Sequence, residues 1–278
     1  MSINKHSNGF TVTELLIVAP IVVLVIGTFI AAIVNMTGDV LVSRSQNSLI
    51  YNINDTLSRI EQDIKLSSSF LPSTSAGTNG IPPTAPQGAD NSTNLDFKNI
   101  NTTGSVLILK SVATIDNPLS STRNLVYLKG SKSCSDSGID QAEAMPVDVI
   151  YFVKNGTLWK RTVMPSGYDT GGCNAITKAA ATPWQLPTCA PGLSGTICKT
   201  QDTKLVDGIA DNTGFIVNYY SSPSSTTPNT IASDITKNDA TRLTALQSVN
   251  TVNVTINSTI SIAGRDVNQS GEIKVTLP

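Results

Sequence analysis

The chain has 278 residues and a formal net charge of −1, and only 14% of its residues are charged. A net charge so close to zero argues against nucleic-acid binding driven by the overall field of the protein. The single histidine is His6. The chain beyond it therefore has no residue for Ser-His-Asp or Cys-His catalysis, or for a histidine-ligated metal site.

A continuous apolar run extends from Leu15 to Val34 without a charged side chain. At about 1.5 Å per residue it is about 30 Å long as a helix, which matches one bilayer core. No A-x-A cleavage pattern follows it, so we expect the run to remain as a transmembrane anchor. Lys5 and the α-amine precede it, which predicts a cytoplasmic N-terminus with the remainder outside.

Glu14 stands at the start of this run, where a carboxylate is costly unless it has a partner. The stretch "GFTVTE" before an apolar helix resembles the class III signal peptide of type IV pilins and type II secretion pseudopilins. The resemblance implies a leader of residues 1–9, cleavage between Gly9 and Phe10 by a prepilin peptidase, and methylation of Phe10 to N-methylphenylalanine. It also implies that Glu14 pairs with the N-terminal amine of a neighbouring subunit, each ion offsetting the other's desolvation.

Pro20 and Gly27 interrupt the apolar run. Proline removes a backbone donor and clashes with the preceding turn, so it kinks or locally melts a helix. In the family that the chain resembles, such residues mark a partly melted stretch in assembled subunits. A kink tolerated in a plain membrane helix is an equal alternative.

The helix is predicted to continue beyond the membrane, so that residues 10–66 form one helix of about 85 Å with its transmembrane part at 15–34. Four isoleucine and leucine residues recur at steps of three or four and form an apolar stripe: Ile53, Leu57, Ile60 and Ile64. We expect this stripe to pack against a sheet; a groove for a partner is the alternative.

Residues 67–278 are predicted to form an exported, β-rich head. Residues 67–94 are rich in Ser, Thr, Pro and Gly, as in a linker. In "VDVIYFVKNGTLWKRTVM", two β-rich runs flank Asn155-Gly156, the pair favoured in type I′ turns, which predicts a hairpin. Trp159 is expected to pack on this hairpin, with ligand stacking as the alternative. Residues 221–240 indicate a polar loop, and residues 244–264 and 271–278 indicate closing strands.

The order of one long helix followed by strands predicts an α+β fold with an antiparallel sheet and extended loops. The hairpin sequence followed by "LVDGIADNTGFIVNYY" resembles W-type minor pilins and J-type minor pseudopilins. That resemblance implies a pilin-like fold.

Four cysteines lie in the predicted head: Cys134, Cys173, Cys189 and Cys198. No C-x-x-C pattern occurs, so zinc-ribbon spacing is absent. An even number in an exported domain predicts two disulfides, with three possible pairings. We favour Cys189–Cys198, which closes a short loop and leaves Cys134–Cys173. Free buried cysteines are the alternative.

"DVNQSGE" imitates the first half of a calcium-binding EF-hand loop, with Asp266, Asn268 and Ser270 at its first, third and fifth positions. The twelfth position is Leu277, where the loop needs a bidentate glutamate. A polar hairpin turn is therefore the favoured interpretation, and we expect neither a metal nor another cofactor.

These features predict a minor pilin that passes from the cytoplasmic membrane to a cell-surface type IV pilus, with a role in priming, tip or surface function such as adhesion or twitching motility. Its expected partners are other pilin subunits, the prepilin peptidase and the inner membrane. The alternatives are a pseudopilin of a type II secretion or competence DNA-uptake machine, a pilus-borne adhesin, a major pilin and, least favoured, a membrane-anchored enzyme. DNA and a host surface are possible partners without support in the sequence, and no basic-aromatic patch points to DNA.

Overall fold

A computed structural model describes residues 11–72, 106–120, 124–128, 143–164, 183–192, 198–210, 213–235, 237 and 239–278. Gly9, Phe10, Cys134 and Cys173 lie outside these ranges, so the cleavage site and the Cys134–Cys173 pairing stay predictions. The described residues form a long N-terminal helix followed by mainly antiparallel β-sheets, which is an α+β layout.

The N-terminal helix α1 covers Val12–Lys65 and is helical throughout, including Pro20 and Gly27. Its buried residues recur along one face of the second half: Leu49, Ile53, Thr56, Leu57, Ile60 and Ile64. The predicted stripe is therefore confirmed as a packing surface. The helix ends as Ser67 bonds back to it, with its Oγ donating to the Asp63 carbonyl at 2.6 Å.

The strands follow in chain order: β1 Ser69–Phe70, β2 Leu107–Val112, β3 Tyr127–Leu128, β4 Glu143–Ala144, β5 Pro146–Lys154, β6 Thr157–Val163, β7 Thr188–Cys189, β8 Thr200–Gln201, β9 Thr203–Asp207, β10 Phe215–Tyr220, β11 Thr251–Ile262 and β12 Arg265–Thr276. Two short helices, α2 Thr230–Ser233 and α3 Asp239–Gln247, lie between β10 and β11.

The larger sheet has the order β1-β2-β5-β6-β9 with every pair antiparallel. Its central strand β5 is buried at seven consecutive positions, because both of its faces are covered. Asn155 and Gly156 connect β5 to β6 with φ angles of +52° and +71°. Positive φ at both positions is what a type I′ turn requires, so the predicted hairpin is confirmed.

A second sheet has the order β10-β11-β12. Ala263 and Gly264, both with positive φ, connect β11 to β12. Gly271 of β12 lies against α1, where a Cβ would stand 2.5 Å from Ile53 Cγ2 and 2.8 Å from Leu57 Cδ1. Only glycine allows the strand to approach the helix this closely.

The segment before β11 corrects a sequence prediction. Residues 221–240 were expected to form a loop and residues 244–264 a strand, but α2 and α3 occupy 230–233 and 239–247. Asn229 caps α2 by accepting from the amides of Ile231 and Ala232. Arg242 of α3 is buried and donates to the carbonyls of Ala232 and Pro72. These tertiary contacts outweigh the weak local preference of the sequence.

The chain divides into two compact units. The first contains the N-terminal part of α1 up to Asn47 together with Ser261–Val267, and the second contains Ser48–Ile260 with Asn268–Pro278. The second unit holds an apolar cluster under the larger sheet: Leu71, Val106, Ile108, Ile150, Phe152 and Val163. Trp159 is partly buried against this cluster, as the sequence predicted.

Candidate functional site

The first half of α1 is apolar on every side and uncovered. All residues from 12 to 37 are exposed, and Phe29 shows 66% of its surface. By length and composition this helix could cross a membrane. A helix that is hydrophobic all round needs lipid or other apolar helices around it. The chain by itself thus does not cover this apolar segment.

Glu14 lies in the first turn of this helix and makes a capping box with Thr11. Its Oε2 accepts from the Thr11 amide at 3.0 Å and from the Thr11 hydroxyl at 2.8 Å. The Glu14 amide in turn donates to Thr11 Oγ1 at 3.3 Å. This reciprocal arrangement satisfies amides at the helix start that have no partner within the helix. The T-x-x-E spacing of "TVTE" is the sequence signal for this capping box, which the predictions from the sequence did not include.

The capping box leaves one oxygen of the Glu14 carboxylate available. Within the part of the chain that the structure describes, Oε1 accepts no hydrogen bond. The carboxylate is therefore held in one place by Thr11 while half of its acceptor capacity faces outward. Such a group can accept a second, charged donor without giving up the first two hydrogen bonds.

An ion pair lies at the turn of the β11–β12 hairpin. Arg265, directly after the turn, contacts Asp39 of α1 through its guanidinium. Both side chains are more than half exposed, so salt screens their attraction. Both residues belong to the first unit, and the pair shows that the hairpin turn contacts α1 at Asp39.

Asp63 links the second half of α1 to the larger sheet. Its Oδ2 accepts from the hydroxyl of Tyr151, which is fully buried, and lies 2.5 Å from Lys160 Nζ. Burial raises the pKa of Tyr151 well above its ordinary value, and the adjacent Asp63 charge raises it further. The phenol is therefore a neutral donor at physiological pH.

A buried ion pair fastens the cysteine-rich segment to the larger sheet. Arg161 Nε lies 3.0 Å from Asp202 Oδ1, and Arg161 Nη2 lies 2.5 Å from Asp202 Oδ2; neither side chain is more than 1% exposed. Thr188 donates to Asp202 at 2.8 Å and accepts from the Thr162 amide at 2.9 Å. The pair is bidentate and fully hydrogen-bonded, which is the condition for tolerating two buried charges.

Cys189 and Cys198 form a disulfide with a Cα–Cα distance of 5.5 Å. This is the short loop that the sequence favoured. Cys189 follows Thr188, and its carbonyl accepts from the Asp202 amide at 2.8 Å. Covalent and hydrogen-bonded links thus converge on the same segment.

The three weak calcium candidates do not form the loop that the EF-hand motif requires. Asp266, Asn268 and Ser270 lie in the extended strand β12, neither in a loop nor in the polar turn that the sequence favoured. Asn268 accepts from Thr259 at 2.6 Å, and Ser270 donates to Asn257 at 2.6 Å. Residues two apart in an extended strand lie on the same face about 6.8 Å from each other, so the backbone does not curl these three side chains around one ion as a loop does. Among the residues that the structure describes, no group of three or more acidic, histidine or cysteine side chains could hold a metal.

The predicted assembly residues are thus placed only in part. Glu14 stands at the first turn of the exposed helix, and Pro20 and Gly27 lie in continuous helix. Pairing of Glu14 with a neighbouring amine and local melting at Pro20 and Gly27 stay predictions. No family model, no curated protein and no solved structure matches this chain.

Proposed function

We propose that this chain is a structural subunit of a type IV pilus, a minor pilin that is anchored in the cytoplasmic membrane and then assembled through its N-terminal helix. One observation carries the proposal: "GFTVTE" places Glu14 on the first turn of a helix whose first half is apolar on every side and exposed. A plain anchor would need the apolar run and not the carboxylate.

The apolar half of α1 can be covered in two successive environments. Lipid covers it while the subunit is in the membrane, and the equivalent helices of other subunits cover it in a fibre. Burying a large aliphatic side chain is worth about 1.5–3 kcal/mol relative to water. Neither environment exposes the segment to water, so the same surface serves both the stored and the assembled subunit.

Glu14 supplies the specificity that apolar packing lacks. Oε2 stays hydrogen-bonded to Thr11. Oε1 then accepts a hydrogen bond from the positively charged amine of a neighbouring chain. A charge pair removed from water is tolerated only when its remaining hydrogen bonds are satisfied, and Thr11 satisfies two of them. Pairing at one fixed height along the helix would set the register between adjacent subunits.

The long N-terminal helix followed by mainly antiparallel sheets is an α+β layout that is compatible with a pilin-like fold, and this supports the proposal. The buried stripe of α1 belongs to the same compact unit as the head, so each subunit would carry its head on the second half of its own helix. In this proposal the head primes fibre assembly, lies at the fibre tip or lies on the fibre surface. The pseudopilin, competence, adhesin and major-pilin alternatives share the same assembly mechanism and differ in the machine that uses it.

N-terminal mass spectrometry of protein from a sheared surface-fibre fraction tests the proposal. We expect a peptide that begins at N-methylated Phe10. A strain with Gly9→Val is the control, because the change blocks the implied cleavage site and should leave the chain in the membrane fraction. Intact Met1 in the membrane fraction, with none of the chain in fibres, would contradict the proposal and leave an anchored surface protein.

A further inference from the structure

A groove of about 260 Å³ opens beside the β5–β6 hairpin. We call it the Trp159 groove, and it is lined by Phe152, Lys154, Asn155, Thr157, Trp159, Arg161, Ala190, Pro191 and Asp202. The assembly mechanism proposed above uses none of these residues. A role for the groove is therefore separate from assembly.

One face of the hairpin forms the floor of the groove. Trp159 is paired across the strands with Phe152, and Thr157 with Lys154, so alternate residues of β5 and β6 project on one side. Trp159 is packed partly against the apolar cluster, and the remainder of its side chain lines the groove. The indole is thus fixed by packing while part of it remains available.

The opposite side and the base of the groove are held rigidly. Ala190 and Pro191 follow Cys189, whose disulfide and backbone bond to Asp202 fix them in place. At the base, Arg161 and Asp202 neutralise each other in their buried pair. A site that is ordered before binding loses little conformational entropy when a ligand enters.

We propose that the Trp159 groove binds one pyranose ring of an uncharged saccharide. A pyranose has an apolar C–H face for the indole and a rim of hydroxyls for the Asn155 amide and for the Thr157 hydroxyl, which donates to Asp207 and can still accept.

The groove is smaller than most drug-sized pockets, which suits a single ring. Arg161 and Asp202 contribute no net charge at the base, and the remaining charged group of the lining is Lys154, whose ammonium can donate to a saccharide hydroxyl. A proline-rich peptide would need a longer channel than this volume provides.

The test uses the full-length protein in a zwitterionic detergent, because glycoside detergents carry the ring under test. Methyl glycosides of hexoses and N-acetylhexosamines are titrated, and binding is followed by tryptophan fluorescence and by ligand-observed NMR. We expect at least one glycoside to bind with a Kd of about 1 mM or tighter, as suits a ligand of about a dozen heavy atoms.

The chain supplies a matched control. Trp184 is 57% exposed and does not line the groove. Trp159→Ala should weaken binding by about tenfold or more, as expected for loss of a stacking partner, whereas Trp184→Ala should leave it unchanged. Trp159→Phe keeps an aromatic ring against the core and in the groove, so it should retain more binding than Trp159→Ala. Thermal unfolding of each variant reports its fold.

A proline-rich peptide is titrated in parallel. Three results would overturn the inference: a Kd weaker than about 1 mM for every glycoside, equal weakening by Trp159→Ala and Trp184→Ala, and binding of the peptide in place of a saccharide. Surface-fibre yield is scored in the same strains and should not change with Trp159→Phe. A failure of the groove proposal therefore leaves the assembly proposal untouched, and the reverse also holds.

Discussion

Two fully buried tyrosines should respond in opposite directions to the loss of a single oxygen atom. Tyr151 donates its hydroxyl to Asp63, whereas the Tyr219 hydroxyl has no hydrogen-bond partner in the described part of the chain. Both side chains are at most 1% exposed. Replacement of either by phenylalanine leaves the ring packing in place and changes only the polar atom.

Tyr151→Phe should lower the free energy of unfolding by about 1.5–3 kcal/mol, because a hydrogen bond to a charged acceptor is lost and Asp63 stays half-buried with Lys160 alone. Tyr219→Phe should raise it by about 1–3 kcal/mol, since an unpaired hydroxyl no longer has to leave water on folding. For a folded region of about 200 residues, each kcal/mol shifts Tm by about 2–4 °C.

The pH dependence provides an independent test at Tyr219. Burial raises its pKa from 10.0 to about 12, and the positive charge of Arg242 opposes only part of this rise. Because the folded-state pKa is raised, the contribution of Tyr219 to the free energy of unfolding is fully present below pH 10. It is lost as the pH rises towards 12. Over that interval the free energy of unfolding should fall by about 1.4 kcal/mol per pH unit, and Tyr219→Phe should remove this part of the slope.

Urea unfolding of the full chain in detergent, followed by far-UV circular dichroism at pH 7 and pH 11, measures both effects. Asp55→Asn, at an exposed helix pair with Arg59, is the control and should change stability by less than about 0.5 kcal/mol. If both tyrosine variants shifted the urea midpoint in the same direction, the difference in hydrogen bonding that motivates the prediction would be refuted.

Three further predictions address other parts of the chain. Glu14→Gln keeps an acceptor for the capping box and removes the charge, so fibre yield should fall as far as with Glu14→Ala; normal fibres with Gln and none with Ala would show that Glu14 only caps the helix. Asp202→Asn removes the buried negative charge opposite Arg161 and should cost about 3–5 kcal/mol by urea unfolding, and a cost below about 1 kcal/mol would mean that water reaches the pair. Ala263→Asn should stabilise the β11–β12 turn by up to about 1 kcal/mol, because asparagine tolerates a φ of +52° better than alanine; Tm should rise, and a fall would indicate a different turn.

Local sequence patterns predicted the elements whose signal repeats along the chain. The apolar run and the stripe from Ile53 to Ile64 both follow the helical period, and α1 covers them in one element. Asn155-Gly156 predicted a turn because few other residue pairs accept positive φ at both positions. Such features depend on neighbours within a few residues, and the sequence contains all of those neighbours.

Local sequence pattern did not predict secondary structure correctly where contacts with residues distant in the sequence determine it. Residues 239–247 carry an ambiguous mixture of helix and strand formers, and α3 forms there because Arg242 finds carbonyl acceptors in α2 and at Pro72. "DVNQSGE" matched half of a loop motif, yet pairing with β11 makes it a strand. Here the tertiary partners override the local preference.

The sequence by itself determined that a membrane-length helix begins beside a carboxylate and continues into an amphipathic half, since apolar length and period are local quantities. Only the tertiary structure decided which charges are buried together. Arg161 meets Asp202 across 41 positions, and Tyr151 meets Asp63 across 88. The cost of burying a charged or polar group falls only when a specific partner lies within hydrogen-bond distance, and that distance exists only after the chain has folded.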